Sequence, residues 1–413
     1  MSPRLRQQTD SSNTHPKIDQ KDLRVLQLIH ANHNVSRKEL AKRSGFSAAS
    51  ITTIVQRLIN KGLVTELGES RRPVSLSVRN DLAYVIGVDV GSFLLRVILA
   101  DILGNVVYKL QMETQMSEGR ERVLSRTFKA IHDAINESRV PKDSIMGIGM
   151  AHSGVIDTRK GMVLSFPRPG QMAEWKSVPL QDMLEAEFGL PSVLDDSARM
   201  MAIAEKHFGL GVDMSDFVYI EVGMGIGAAI FIDGKLYRGP GGGAGEFGHM
   251  TVDEKGPLCS CGNTGCLETL ASCAAIIQAV RVAIQQGVNS RVSELAQGDL
   301  ERISIEMVIQ AAEENDTLAF RVLHEAVSHI GVALADVVNL LNPSVVVFGG
   351  PLFRESGQLL LEPLKRVIRQ CALEKSANEL ELKVSTLGSE AGALGGVRLI
   401  SEKVVEHLYQ EKA

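Results

Sequence analysis

The apolar spacing of this chain changes close to residue 80, and that change constrains the fold more than any other feature. Up to Arg79 the apolar residues recur first at helical intervals and then in two short strand-like stretches. From Tyr84 they come in short, near-continuous runs that read as buried strands. Two architectures therefore share one chain of 413 residues. With 44% hydrophobic and 23% charged residues the chain can bury a large core, which excludes wholesale disorder.

The same boundary divides the charge. The formal net charge of -5 averages a basic head, where residues 1–80 carry 14 Lys+Arg against 6 Asp+Glu, and a strongly acidic body. Such a head is the electrostatic footprint of a nucleic-acid reader. Residues 1–16 are polar, lack the apolar stretch of a secretory signal and read as a flexible tail, so a cytoplasmic location is expected. The longest uninterrupted apolar run, Val222 to Ile232, has 11 residues, where spanning a bilayer takes about 20. No membrane partner is expected.

Within the head, residues 17–80, three helices are predicted. Leu23, Leu26 and Ile29 stripe the first. Ser36 and Glu39 have the spacing of a capping box and open the second, which runs to about Arg43, and Gly45 permits the turn. The third starts near Ser47 and buries Ile51, Ile54, Val55, Leu58 and Ile59. Its opposite face carries Ala49, Thr53, Gln56 and Asn60, flanked by Ser50 and Arg57, a small polar surface suited to base edges in a major groove. Two short strands follow, Leu63 to Glu66 and Pro73 to Val78, joined by a loop holding Arg71 and Arg72. This is a winged helix-turn-helix pattern. Ser47, Ser50, Thr53, Gln56 and Arg57 are the expected base-side residues, Arg37, Lys38, Lys42 and Arg43 the phosphate contacts, and Arg71 and Arg72 the wing-tip contacts to a phosphate or a minor groove.

The body opens with the strand Tyr84 to Val90, a second strand Leu94 to Ala100, a third Val106 to Gln111, and a helix from about Glu118 to Ser138. A similar pair of strands around a Gly-rich turn returns at Phe217 to Ile232. That repetition is expected of an α/β fold with two actin-like ATPase lobes enclosing one cleft. The smaller lobe is assigned residues 81–196 with 389–413, the larger 197–388. Separately, His249, Cys259, Cys261 and Cys266 offer one imidazole and three thiolates, enough to close a tetrahedral structural zinc site. Cys273 and Cys371 are expected in the core.

Six motifs in order, GVDVG at 87–91, GMGIG at 223–227, GAGEFGH at 243–249, CSCGNTGCLE at 259–268, VVVFGG at 345–350 and AGALGG at 391–396, resemble those of the ROK family. That family contains sugar kinases and sugar-responsive transcription factors, and its regulators carry the N-terminal helix-turn-helix that its kinases lack. The resemblance implies the same four zinc ligands, and sugar hydroxyls bound by Glu246, His249 and Glu268.

The chain departs from the kinase pattern where phosphotransfer chemistry would sit. Kinases of the family carry Asn-Asp-Ala-Asn, with the Asp as general base; aligned back from Ala204-Glu205 this chain has Asp196-Ser197-Ala198-Arg199. A serine at its ordinary pKa cannot take the proton, so the base is lost at Ser197, and Asp196 is expected to bind a sugar hydroxyl. Gly91-Ser92-Phe93 and Gly223-Met224-Gly225 replace the bare phosphate turns, and Asp89 is left as a strand-end carboxylate. The expected function is a sugar-responsive regulator, a repressor of carbohydrate-metabolism genes, without kinase activity. Its partners are operator DNA and a sugar or sugar phosphate, and it is expected to form a homodimer or homotetramer with the long apolar helix near Ala319 to Leu341 as interface or core. The alternative is an active ATP-dependent sugar kinase with a fused DNA-binding head.

Overall fold

A computed structural model of the chain describes residues 18–32, 35–67, 74–166 and 174–409. These group into two compact units, one running to Ala83 and resuming at Ser401, the other Tyr84–Ile400. The last stretch was assigned by sequence to the smaller lobe. Val404 and Val405 of that last stretch are buried.

The head contains α1 (Gln20–Ala31), β1 (Val35–Ser36), α2 (Arg37–Ser44), α3 (Ala48–Asn60), β2 (Val64–Leu67) and β3 (Ser75–Val78). Ser36 and Glu39 form the full reciprocal capping box at the start of α2. Gly45 ends that helix at φ 74°, a left-handed conformation that a side chain would strain. Ile51, Ile54, Val55 and Leu58 of α3 are buried, as are Leu23, Val25, Leu26 and Ile29 of α1 and Leu40 of α2. β3 lies between β1 and β2 in an antiparallel sheet. Arg71 and Arg72 lie outside the described residues.

In the body, β4 (Tyr84–Val90), β5 (Leu94–Asp101) and β6 (Val106–Glu113) pair antiparallel. After α4 (Arg120–Glu137), β7 (Ile145–His152) returns parallel to β4. A hairpin of β8 (Val155–Asp157) and β9 (Met162–Ser165) and the helix α5 (Leu180–Phe188) lead to β10 (Ser192–Asp196), parallel to β7. The sheet order is β6-β5-β4-β7-β10. The helix α6 (Ser197–Phe208) then carries the chain to β11 (Phe217–Val222), β12 (Ile226–Ile232) and β13 (Lys235–Tyr237). Helices α7 (Leu267–Ala271), α8 (Cys273–Gln285), α9 (Arg291–Leu295), α10 (Ile305–Glu313) and α11 (Thr317–Leu341) precede β14 (Val345–Gly349). Helices α12 (Pro351–Ser356), α13 (Gln358–Cys371) and α14 (Glu374–Glu379), the strand β15 (Glu381–Val384) and the helix α15 (Ala391–Tyr409) complete the chain. The second sheet, β13-β12-β11-β14-β15, repeats the order and the pairing directions of the first. This duplicated α/β sheet is the actin-like arrangement expected from the motifs.

The glycines of AGALGG have a packing reason. A Cβ on Gly395 would lie 1.8 Å from the Met200 carbonyl oxygen and one on Gly396 2.4 Å from the Gly149 carbonyl oxygen, so α15 touches α6 and β7 backbone to backbone. One sequence expectation changes. Cys371 is exposed, because it is the last residue of α13, whose buried face ends at Ile368. Helix α11 is long and apolar enough to cross a membrane although no uninterrupted run announces it. It is a core helix: 61% of its most apolar stretch is buried, with Ile330, Ala333 and Leu334 fully enclosed in the second lobe.

Candidate functional site

On the head, α3 presents Ala49, Ser50, Thr53, Gln56 and Asn60 to solvent. Ser47 caps the helix, accepting from the Ser50 N–H at 3.2 Å. Thr53 donates to the Ala49 carbonyl at 3.1 Å, and the Gln56 amide donates to Asn60 Oδ1 at 3.1 Å, which holds Gln56 extended along the open face. Lys38 and Lys42 are exposed. Arg37 pairs with Glu66 of β2 at 2.5 Å, and Arg43 donates to Asn32 at 2.5 Å. Arg57, expected on the DNA side, has a partner within the head. Its guanidinium is ion-paired with the buried Asp22 of α1 and lies 3.6 Å from Asp19, so it braces α3 against α1. Residues 35 positions apart make this brace, and spacing along one helix could not reveal it.

In the body, His249 ends a one-turn helix that follows a tight Gly245 turn. Thr251 pairs with Cys266, and the Leu267 N–H donates to the Met250 carbonyl at 2.8 Å, which folds the two arms of the cysteine loop together. His249 Nδ1 lies 3.6 Å from Cys259 Sγ, Cys261 Sγ lies 3.6 Å from Cys266 Sγ, and all four donor atoms fall within 4.8 Å of one another. A tetrahedral ion with bonds of about 2.0 to 2.3 Å needs donors roughly 3.3 to 3.8 Å apart, so the set fits a metal ion. Burial, and then the neighbouring Cys261 and Cys259, push the Cys266 thiol up to about 12.

Next to this loop lies a network of ions. Asp196 caps α6, accepting from the Arg199 N–H at 2.9 Å, and pairs with Arg199 Nε at 3.0 Å. The Arg199 side chain is only 4% exposed; it reaches the Ala244 carbonyl at 3.2 Å, Asp195 at 3.5 Å and Glu246 at 4.0 Å. Arg238 pairs with Asp195 from the other side at 2.5 Å. Asp196 and Glu246, predicted on separate motifs, are thus joined through one guanidinium. Burial raises the Asp196 carboxyl to about 6, Arg199 opposing and Asp195 adding to the shift. Glu268 accepts from the Ile226 N–H at 2.8 Å at the start of β12, beside the second glycine turn. Sequence reasoning missed Asp195 and Arg238, and it registered Arg199 only as a departure from an asparagine.

Where phosphotransfer chemistry would sit, Ser197 donates to Asp89 at 3.4 Å, and Asp89 pairs with Arg96 at 3.1 Å. Asp89 is 1% exposed, and a Cβ on Gly392 would lie 2.8 Å from its carboxyl carbon. Burial raises its pKa against the pull of Arg96. It is therefore a sealed, paired carboxylate near the end of β4. Phe93, in the first phosphate turn, stands 61% exposed.

The sequence matches the ROK family over residues 85–403. The chain belongs to the ROK family. Residues 18–65 of this ROK protein also match a winged helix-turn-helix DNA-binding family, in agreement with the head described above. A xylose repressor of Caldicellulosiruptor bescii is 33% identical over 383 residues, covering 92% of this chain and 94% of the repressor. Among solved structures, a ROK family transcriptional regulator homologous to the Escherichia coli MLC protein is 30% identical and superposes with a TM-score of 0.77, over 94% of this chain and 96% of that one. A ROK glucokinase from Streptomyces griseus, in complex with glucose and AMPPNP, is 29% identical with a TM-score of 0.68; it covers 77% of this chain and 99% of its own. The ROK kinase therefore leaves out a stretch about the length of the head.

Proposed function

We propose that this ROK protein is a sugar-responsive transcriptional repressor of carbohydrate-metabolism genes. On this reading it works in the cytoplasm as a homodimer or homotetramer. The observation that carries the proposal is Ser197. At the position of the family's catalytic base stands a hydroxyl that donates to Asp89, and such a group cannot collect a proton from a substrate hydroxyl. A sealed Asp89–Arg96 pair and an exposed Phe93 at the phosphate turn accompany it. The body keeps its carboxylates for sugar hydroxyls and has lost the parts for phosphotransfer, while the head supplies the output.

In this proposal Ser47, Ser50, Thr53 and Gln56 face the bases. Lys38 and Lys42, with Arg37 and Arg43, hold phosphates, and Arg71 and Arg72 extend from the wing. Arg57 acts from behind, as the brace to Asp22. The sugar sits against Asp196, Glu246, His249 and Glu268. Zinc on His249, Cys259, Cys261 and Cys266 fixes the loop that carries these contacts. With Nδ1 turned toward Cys259, His249 keeps Nε2 for a hydroxyl. A coupling of about 1 to 3 kcal/mol between effector and operator would change DNA affinity roughly 5- to 150-fold.

The test is an operator-binding titration of the full chain with and without a panel of sugars and sugar phosphates, repeated with MgATP. A sugar that shifts operator affinity with no dependence on ATP is the expected result. ATP-dependent phosphorylation of glucose at ordinary enzymatic turnover would replace this reading with that of a kinase bearing a DNA-binding head.

A further inference from the structure

The repressor reading leaves open whether the effector is a sugar or its phosphate, and the ion network around Arg199 bears on that choice. Among the described residues, the cations touching Asp195, Asp196 or Glu246 are Arg199 and Arg238. Both are paired with carboxylates. Arg199 divides its nitrogens among three carboxylates and the Ala244 carbonyl, and with 4% of its side chain exposed it offers nothing to a ligand. Arg238 is 32% exposed and bound to Asp195; its Nη1 is buried and makes no hydrogen bond, so an anion would reach that nitrogen only by opening the network. Carboxylates face outward beside them. Glu246 is 51% exposed and Asp196 23%, and Glu268 commits one oxygen to the Ile226 N–H. Carboxylates accept hydrogen bonds from vicinal hydroxyls and repel a phosphate dianion.

We propose that Arg199 positions Asp196 and Glu246 as a pair of hydroxyl acceptors and that the effector is an uncharged, unphosphorylated sugar. Resting on the sugar-responsive reading above, this narrows its ligand class. The guanidinium holds the start of α6 and the Ala244–Glu246 segment at one spacing, so two carboxylates from distant parts of the chain meet one ligand. An asparagine at this position could not span both: the arginine reaches Asp196 by Nε and Glu246 by Nη2. Arg199 is a positioning residue and does not touch the sugar.

The experiment is calorimetric titration of the full-length, metal-loaded protein with xylose, glucose and N-acetylglucosamine, each beside its terminal phosphate ester. A neutral sugar is expected to bind at least about tenfold more tightly than its ester, the ester paying the like-charge penalty. Arg199→Ala should weaken the neutral sugar by about tenfold or more and shrink the discrimination against the ester, and Arg199→Lys should recover part of both. A destabilised scaffold would not regain selectivity through lysine. An ester that binds as well as its parent sugar overturns the ligand class and leaves the sugar-responsive reading intact. Undiminished sugar binding by Arg199→Ala overturns the positioning role. If neither sugars nor esters bind, the sugar-responsive reading itself fails and takes this inference with it. The wild-type comparison stands even if the alanine variant does not fold.

Discussion

Ser197 Oγ lies 3.4 Å from Asp89 Oδ1 and donates to it. On the proposed reading, the position of the family's base is occupied by a donor, bonded to a carboxylate that is itself buried and paired with Arg96. Ser197→Asp would restore the kinase residue on paper. In this setting it places a second carboxylate against Asp89, and two such groups in contact cannot both ionise cheaply. The variant is expected to lose about 2 to 4 kcal/mol of stability in urea unfolding and to gain no ATP-dependent phosphorylation of glucose. A wild-type unfolding midpoint, or turnover with glucose, would contradict this.

Arg57 and Gln56 are neighbours on α3 with opposite expected effects. Arg57→Ala leaves Asp22 buried without its partner and should destabilise the head by about 2 to 3 kcal/mol. Gln56→Ala removes only an exposed amide. It should leave stability within about 0.5 kcal/mol of wild type while reducing operator affinity by about 1 to 3 kcal/mol. Thermal unfolding and DNA titration on the two variants separate brace from reader.

The cysteine cluster is expected to hold one metal ion per chain, read by elemental analysis of the purified protein. Cys261→Ser should lower metal content, and removal of the ion by a strong chelator should abolish effector binding, because Glu246, His249 and Glu268 lie on or beside the loop that the ion closes. Full effector binding in metal-free protein would separate the two sites.

His152, at the end of β7 opposite Asp196 of β10, is fully buried between Phe166 and Trp175, and burial lowers its pKa from 6.5 to about 4. Its Nδ1 accepts from the Gly154 N–H at 2.9 Å. As pH falls from about 6.5 to 4, the unfolded chain binds a proton that the folded chain refuses, so this residue's contribution to stability is lost across that window, up to roughly 3 kcal/mol. His152→Gln removes that titration. The stability difference between wild type and His152→Gln, followed by urea unfolding at pH 7.5, 6, 5 and 4, should therefore move steadily against wild type. A constant difference would show that His152 takes up its proton in the folded chain at the same pH as in the unfolded one.

How much was legible in the sequence depended on distance along the chain. The capping box of Ser36 and Glu39, the left-handed Gly45 and the buried face of α3 are set by residues within about eight positions of each other, where periodicity and turn chemistry carry the information. The duplicated strand pattern and the cysteine spacing were legible for the same reason. The strand β1 was not, since two residues have no period, and it exists because Val35 pairs with Leu76. Cys371 was misplaced because apolar spacing says which face a residue takes and not where the helix outlasts its cover.

By itself, the sequence determined the local chemistry of this protein: a basic helical head, two sheets built to one pattern, four soft metal donors in one loop, and a serine where a base would stand. The tertiary structure decided which charges meet. Arg57 found Asp22 across 35 residues, Ser197 found Asp89 across 108, and Arg199 gathered Asp196 and Glu246 around a buried guanidinium. A buried charge must be paired wherever its partner lies in the chain, so its role follows from three-dimensional proximity, which spacing along the sequence does not encode.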